Sequence, residues 1–307
     1  MKAAVLTQYG APTLANFDEP SGDGVVVEVH AATINAVDIA IASGAHYLSP
    51  RSLPVVTGIE GAGVTPDGTR VYFSLPSSPF GSMAERSLVP RDHLIEIPDA
   101  VDFSAAATLG NAGLAGSMPL VEAAHLKPGE SVVILGGTGV VGRIAVQAAR
   151  ALGAGSITVV GRNAEALDST RALGATATVL ADADDLTGAI REASGGGVDV
   201  ILDYTWGEVA AAALHAGNQG VRSIQIGERA GANITIPAQL MRALGATVSG
   251  FMPIHYGQAA MREAYSRIGD WVAEGKVAIE YENLPLADVE RAWAMASGAR
   301  HKLVLVP

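Results

Sequence analysis

The chain has 307 residues, with 20 Lys and Arg against 31 Asp and Glu, a formal net charge of −11. That balance, with no local basic cluster, argues against a nucleic-acid partner, because phosphate binding needs a concentrated basic surface. Cysteine is absent, which excludes disulfides, thiolate nucleophiles and cysteine-ligated zinc. Hydrophobic content of 49% and charged content of 17% make large buried cores feasible, and the length suits two domains. The opening MKAAVLTQYG turns polar too soon for a signal peptide. No stretch of about 18 apolar residues free of charges and turn residues suggests a membrane span. The expectation is a soluble, cytoplasmic protein without a membrane or nucleic-acid partner.

Residues 2–6 read as a first strand and Val25 to His30 as a second, rich in β-branched residues. Thr33 to Ser43 reads as a loop and short helix ending at Gly44. The stretch 45–54 is a loop, and Val55 to Val64 a turn around Gly58, Glu60, Gly61 and Gly63. Strands follow at Arg70 to Ser74 and within Phe80 to Pro90, so this half is a barrel-like β domain of short strands. A helix starts at Asp102 or Ser104 and runs to Leu109. The small, glycine-rich LGNAGLAG follows, then a helix over Ser117 to Ala124.

From Ser131 the pattern becomes strand, helix, strand. Strands are expected at 132–135, 156–160, 176–180, 198–202, 220–226 and 247–251, with helices between them, which specifies a doubly wound parallel sheet. The tail changes character again: a long helix over 258–274, a strand at 278–281, a helix over 286–297 and a closing strand at 302–306. It returns to the first domain and makes it discontinuous. The expected division is 1–115, 116–254 and 255–307.

The central stretch is SVVILGGTGVVG, Ser131 to Gly142. Gly137, Gly139 and Gly142 have the G-x-G-x-x-G spacing, after a strand and before a helix. The first glycine allows a sharp turn, the second lets the backbone approach a pyrophosphate, and the third packs helix on strand. The free N–H groups of Val140, Val141 and Gly142 then face an anion, and Thr138 is placed to donate its hydroxyl. The second strand of this region ends Val-Val-Gly-Arg-Asn, 159–163. An NAD site normally places an acid there for the ribose hydroxyls. No acid appears before Glu165, and Arg162 either accepts a 2′-phosphate, selecting NADPH, or caps and solvates the helix start. Arg143, just after Gly142, is the competing candidate, and reads alternatively as a surface helix residue with a carboxylate neighbour.

The order of motifs resembles the zinc-independent quinone oxidoreductases, the zeta-crystallin-like family of the medium-chain dehydrogenase/reductase superfamily. AATINAVD (31–38), GIEGAGV (58–64), AATLGNAGL (106–114), the cofactor loop, VDVILDY (198–204) and ASGARHKLVL (296–305) each resemble a family motif. The resemblance implies a Rossmann domain flanked by the two parts of a discontinuous GroES-like β-barrel catalytic domain, NADPH as reductant, a homodimer, and hydride transfer to a quinone or α,β-unsaturated carbonyl. It also implies no catalytic zinc, since Ile59 stands where zinc-dependent relatives carry histidine. Asn35 is the implied substrate-side residue, with His46 and Tyr47 on the following loop as further catalytic candidates. Asn111, Gly227, Phe251 and Lys302 join the glycine loop and Arg162 as cofactor-facing candidates; Lys302 reads alternatively as a solvated edge-strand lysine. Asp38 is read as stabilising its own helix turn, Glu60 as bonding backbone in the glycine turn. Ala40, Ala42 and Ala115 depart from the family pattern and change the substrate pocket. They favour the alternative of a non-catalytic NADPH-binding protein on the same fold. No metal site is expected.

Overall fold

The computed structural model describes residues 1–99, 101–299 and 301–307; Ala100, and Arg300 of the 296–305 motif, lie outside the described residues. The chain forms two compact units, Met1–Ala112 with Ile279–Pro307, and Gly113–Ala278. The first boundary differs from the expected one by three residues, and the second lies at 278/279 instead of 254/255. The reason is the helix Gly257–Ala273, whose Ile268 packs directly on Gly113 and whose Arg267 pairs with Glu122 at 3.4 Å. Buried Gln147 also clamps the unit's last residue, accepting from Ala278 N at 2.8 Å and donating to its carbonyl at 3.0 Å. That clamp moves the expected strand at 278–281 to Tyr281–Pro285.

The unit Gly113–Ala278 holds six strands, paired in parallel throughout: Ser131–Leu135, Ser156–Gly161, Ala177–Leu180, Val198–Asp203, Gly217–Gln225 and Thr247–Gly250. Numbered along the unit, their order is 3-2-1-4-5-6. The doubly wound sheet is therefore present, with its switch point between Ser131–Leu135 and Val198–Asp203, where ligands of such sheets bind beyond the carboxyl ends. Val132, Val133, Ile134 and Leu135 are all 0% exposed. Burying such side chains stabilises by roughly 1.5–3 kcal/mol each, which holds the glycine turn on a rigid base. Among the described residues no helix is long and apolar enough to cross a membrane.

The unit Met1–Ala112 with Ile279–Pro307 is built on two sheets. A three-stranded antiparallel sheet runs Thr13–Asn16, Lys2–Leu6, Val55–Val56. A seven-stranded sheet runs Tyr281–Pro285, Lys302–Val306, Val25–Ile34, Glu60–Val64, Arg70–Ser74, Leu94–Glu96, with Arg86–Val89 also paired to Val25–Ile34. The expected turn at 55–64 is thus largely strand. Its glycines serve close approach: a Cβ on Gly63 would lie 2.0 Å from the Glu28 carbonyl oxygen, and one on Gly61 2.7 Å from that of Ala31. The long strand Val25–Ile34 is the hub, and two registers follow from it. Ala32 opposite Gly61 brings Thr33 beside Glu60, and Leu303 opposite Ile34 brings Asn35 beside Lys302.

Candidate functional site

Two clusters of functional side chains stand out, one in each unit. In Gly113–Ala278 the loop after Ser131–Leu135 divides the glycine roles differently from the sequence reading. The left-handed turn falls on Gly136, at φ +81°, not on Gly137. A Cβ on Gly137 would strike the Val159 side chain at 2.6 Å, so that glycine serves packing on the neighbouring strand. A Cβ on Gly142 would lie 2.4 Å from the Gly137 Cα, whereas one on Gly139 meets nothing closer than 3.6 Å. The third glycine is thus fixed by the protein and the second faces open space, as a backbone that approaches a phosphate requires.

Gly139 is the N-cap of the twelve-residue helix Val140–Ala151, so the early N–H groups of Val140 and Val141 are free for an anion. Thr138 is half-buried, and its hydroxyl makes no hydrogen bond among the described residues. Arg162 follows Gly161 at the end of the adjacent strand, exposed and without a protein partner among the described residues. Asn163, not Arg162, caps the next helix, accepting from Ala166 N at 2.8 Å; the capping alternative for Arg162 falls. Arg143 donates to Ser169 Oγ at 3.0 Å.

Across the switch point, Asp203 Oδ1 accepts from Thr205 N at 2.8 Å and Trp206 N at 2.7 Å. Burial raises the Asp203 pKa against these bonds. The clamp holds Trp206 at φ 60°, ψ −163°, a backbone region costing roughly 1–3 kcal/mol outside glycine. Thr205 Cγ2 then stands 2.9 Å from where a Gly136 Cβ would be, and the Tyr204 carbonyl oxygen 2.7 Å from that of Gly227. Gly227 therefore belongs to this sheet edge, as does Phe251, whose N–H donates to Gln225 O at 2.9 Å. The Tyr204 hydroxyl, its pKa pushed up by burial, donates to the Ala115 carbonyl at 2.9 Å.

The second cluster lies in the other unit and centres on Glu60, 1% exposed. Its carboxylate accepts four hydrogen bonds. Thr33 Oγ1 and Asn35 Nδ2 reach Oε1 at 2.5 and 2.9 Å. The Tyr72 hydroxyl and Asn111 N reach Oε2 at 2.9 and 2.5 Å. Three of these donors are side chains from distant segments, which corrects the reading of Glu60 as a local backbone acceptor. Gly110 makes the approach possible: its Cβ would lie 2.3 Å from Glu60 Oε2. The small, glycine-rich stretch 109–116 is accordingly largely helical. Asn111 opens the helix Asn111–Met118, and the expected helix at 117–124 is its last residues followed by the wider turn Pro119–Ala123.

Asn35 is 2% exposed and fully engaged. Beyond Glu60, Nδ2 donates to Thr33 Oγ1 at 3.1 Å, and Oδ1 accepts from Asn111 Nδ2 at 3.1 Å and from Lys302 Nζ. Both N–H groups and both lone pairs are used, so its carboxamide has nothing left to orient a substrate. Lys302 is 6% exposed on an interior strand, because Tyr281–Pro285 lies outside it; the solvated edge-strand alternative is wrong. Burial lowers the Lys302 pKa, opposed by the Glu60 and Asp38 charges. His46 and Tyr47 lie on the loop after the helix Ala36–Ala42. Tyr47 is 70% exposed, its ring 4.1 Å from that of His46, whose Nδ1 accepts from Leu48 N at 3.2 Å.

Asp38 caps its helix turn as expected, accepting from Asn35 N at 2.8 Å, and adds a bond from Ile59 N at 3.0 Å. Burial, helped by the Glu60 charge, pushes its pKa up to about 7 from 3.8. The folded chain then keeps a proton that the unfolded chain releases between those values. Stability should fall as pH rises from 3.8 to about 7. Urea unfolding at pH 5 and 7.5 should show that loss in the wild type and a flatter profile in Asp38→Asn; equal slopes would contradict it. Among the described residues no group of three or more His, Cys, Asp or Glu is arranged to hold a metal.

A family described as zinc-binding dehydrogenase matches residues 140–270, which lie within Gly113–Ala278 and do not include the Asn35–Glu60 cluster. The chain is 29% identical over 292 residues to a phenolphthiocerol/phthiocerol polyketide synthase protein of Mycobacterium tuberculosis, covering 92% of this chain and 13% of that protein. It is 31% identical over 169 residues to the quinone oxidoreductase of Sus scrofa, covering 50% of each. A 2-haloacrylate reductase of Burkholderia sp. is 31% identical over 220 residues, covering 66% of this chain and 65% of that one. The matched chain thus spans about half the length of the quinone oxidoreductase and a small part of the synthase. Among solved structures, a mycobacterial protein complexed with NADPH superposes with a TM-score of 0.86 at 23% identity, over 100% of both chains.

Proposed function

We propose, on its likeness to quinone oxidoreductases and a 2-haloacrylate reductase, that the chain is an NADPH-dependent reductase of the medium-chain dehydrogenase/reductase type. Its substrate is an electron-poor π system, a quinone or an α,β-unsaturated carbonyl. The observation that carries this reading is the glycine cradle at the sheet's switch point, with Gly139 open and Arg162 unpaired among the described residues at the next strand end. Gly137, Thr138, Gly139, Val140, Val141 and Gly142 hold the pyrophosphate, Arg162 the 2′-phosphate, and Gly227 and Phe251 the edge beyond. NADPH supplies the hydride.

The rest falls to the chain's own side chains. They bind the acceptor, orient its conjugated carbon and stabilise charge on its oxygen. Zinc is not required in this reading. Lys302 already places a cation beside Asn35, and a second cation there would meet like-charge repulsion. A cytoplasmic homodimer is the proposed form. It is supported by the edge position of Thr247–Gly250 and by the helix Ala238–Leu244, which buries no residue in the chain alone.

The test is NADPH oxidation followed at 340 nm under anaerobic conditions with a panel of quinones and enones, NADH run in parallel. Turnover preferring NADPH is expected. NADPH binding without turnover on any acceptor would move the reading to a binding protein, the role that Ala40, Ala42 and Ala115 favour.

A further inference from the structure

Lys302 has three N–H donors, and the fold uses one of them. Nζ donates to Asn35 Oδ1, and no other hydrogen bond or ion pair reaches it among the described residues, although the residue is 6% exposed. A buried ammonium with two unspent donors is costly unless something else accepts from it. Asn111 Nδ2 donates to the same Asn35 oxygen at 3.1 Å. Two donor nitrogens therefore flank one oxygen, within roughly 6 Å of each other.

Their orientation is fixed by chemistry. The Asn35 amide is held between a carboxylate, which only accepts, and an ammonium, which only donates. Its NH2 must face Glu60 and its oxygen Lys302. Asn111 must then turn its own NH2 toward Asn35, which leaves a second N–H without an acceptor among the described residues. Asn111 is also partly exposed, while Thr33, Asn35, Glu60 and Tyr72 are at most 2% exposed.

We propose that Lys302 and Asn111 form a two-donor site for the acceptor's carbonyl oxygen, with Asn35 as the positioning residue that sets both donors. This rests on the reductase reading above and reassigns both residues from the cofactor to the substrate. NADPH, when bound, would supply a hydride to the β carbon of the enone and become NADP+. The C=C pair shifts toward the carbonyl carbon and the C=O pair moves onto oxygen. Lys302 and Asn111 donate to that enolate oxygen, and water delivers the proton to the α carbon.

A non-reacting oxyanion probes the site. With protein saturated by NADP+, 4-nitrophenol should bind with its apparent pKa lowered by about one unit, a tenfold gain in acidity, read at 400 nm. Lys302→Met and Asn111→Ala should each remove most of that shift, and Lys302→Arg should restore part of it. If Lys302→Met does not fold, Asn111→Ala alone decides. Asn111→Ala should also lower kcat on enones about a hundredfold while NADPH affinity stays within about twofold. No shift in the wild type, or a shift that survives both substitutions, overturns the proposal. So does a loss of NADPH affinity of tenfold or more with phenol binding intact, which would return both residues to the cofactor. A phenol shift in a wild type that reduces no acceptor would overturn the reductase reading and leave the donor pair standing.

Discussion

Replacing Glu60 with alanine is expected to lower the unfolding free energy by about 3–5 kcal/mol, the range seen when one partner of a buried charged network is removed. Glu60 is 1% exposed and accepts from Thr33, Asn35, Tyr72 and the Asn111 backbone. The substitution leaves those donors without their acceptor at a buried position. It also takes a negative charge away from Lys302, whose ammonium burial already disfavours. Glu60→Gln keeps the shape, yet turns an NH2 toward either the Asn35 amide or the Asn111 N–H, both donors. Its cost should be smaller, about 1–3 kcal/mol for a buried group left unsatisfied. Urea unfolding of the three proteins at one pH measures both. A Glu60→Ala protein within about 1 kcal/mol of wild type would show that the network does not carry the stability assigned to it.

Arg162→Ala is expected to weaken NADPH binding roughly ten- to hundredfold and to leave NADH unchanged. A hydrogen bond to a charged group contributes roughly 1.5–3 kcal/mol, and each 1.4 kcal/mol is about tenfold in affinity. The structural support is that Arg162 stands exposed at the end of Ser156–Gly161 with no protein partner among the described residues, while Asn163 does the capping. No acid stands there to hold a bare ribose. Fluorescence titration with both cofactors measures the effect. Equal weakening of NADPH and NADH would assign Arg162 to the fold or to the pyrophosphate rather than the 2′-phosphate.

The parallel sheet was legible because each strand is a short apolar run closed by turn residues, a signal local in sequence. The polar cluster was not, because Thr33, Asn35, Glu60, Tyr72, Asn111 and Lys302 meet only through strand registers spanning the chain. Asn35 was found, but its role was not: its four hydrogen-bonding positions are filled by partners up to 267 residues away. Glycines misled where close packing, not turning, requires them. Gly116 lies inside a helix, where a Cβ would come within 2.7 Å of the Ile144 side chain. Gly61 and Gly63 read as a turn and proved to be strand for the same reason. His46 and Tyr47 carry suitable chemistry on a loop after Gly44, where the alternative reading is a surface position, and Tyr47 is 70% exposed.

The most direct measurement is the fate of deuterium from NADPH labelled on its transferable C4 position, with a cyclic enone as acceptor and the product analysed by mass spectrometry and NMR. Hydride transfer predicts one deuterium, at the β carbon and on a single face, with unlabelled hydrogen from water at the α carbon. A reduced product without deuterium at the β carbon, or with it scrambled over both faces, would contradict the reductase account.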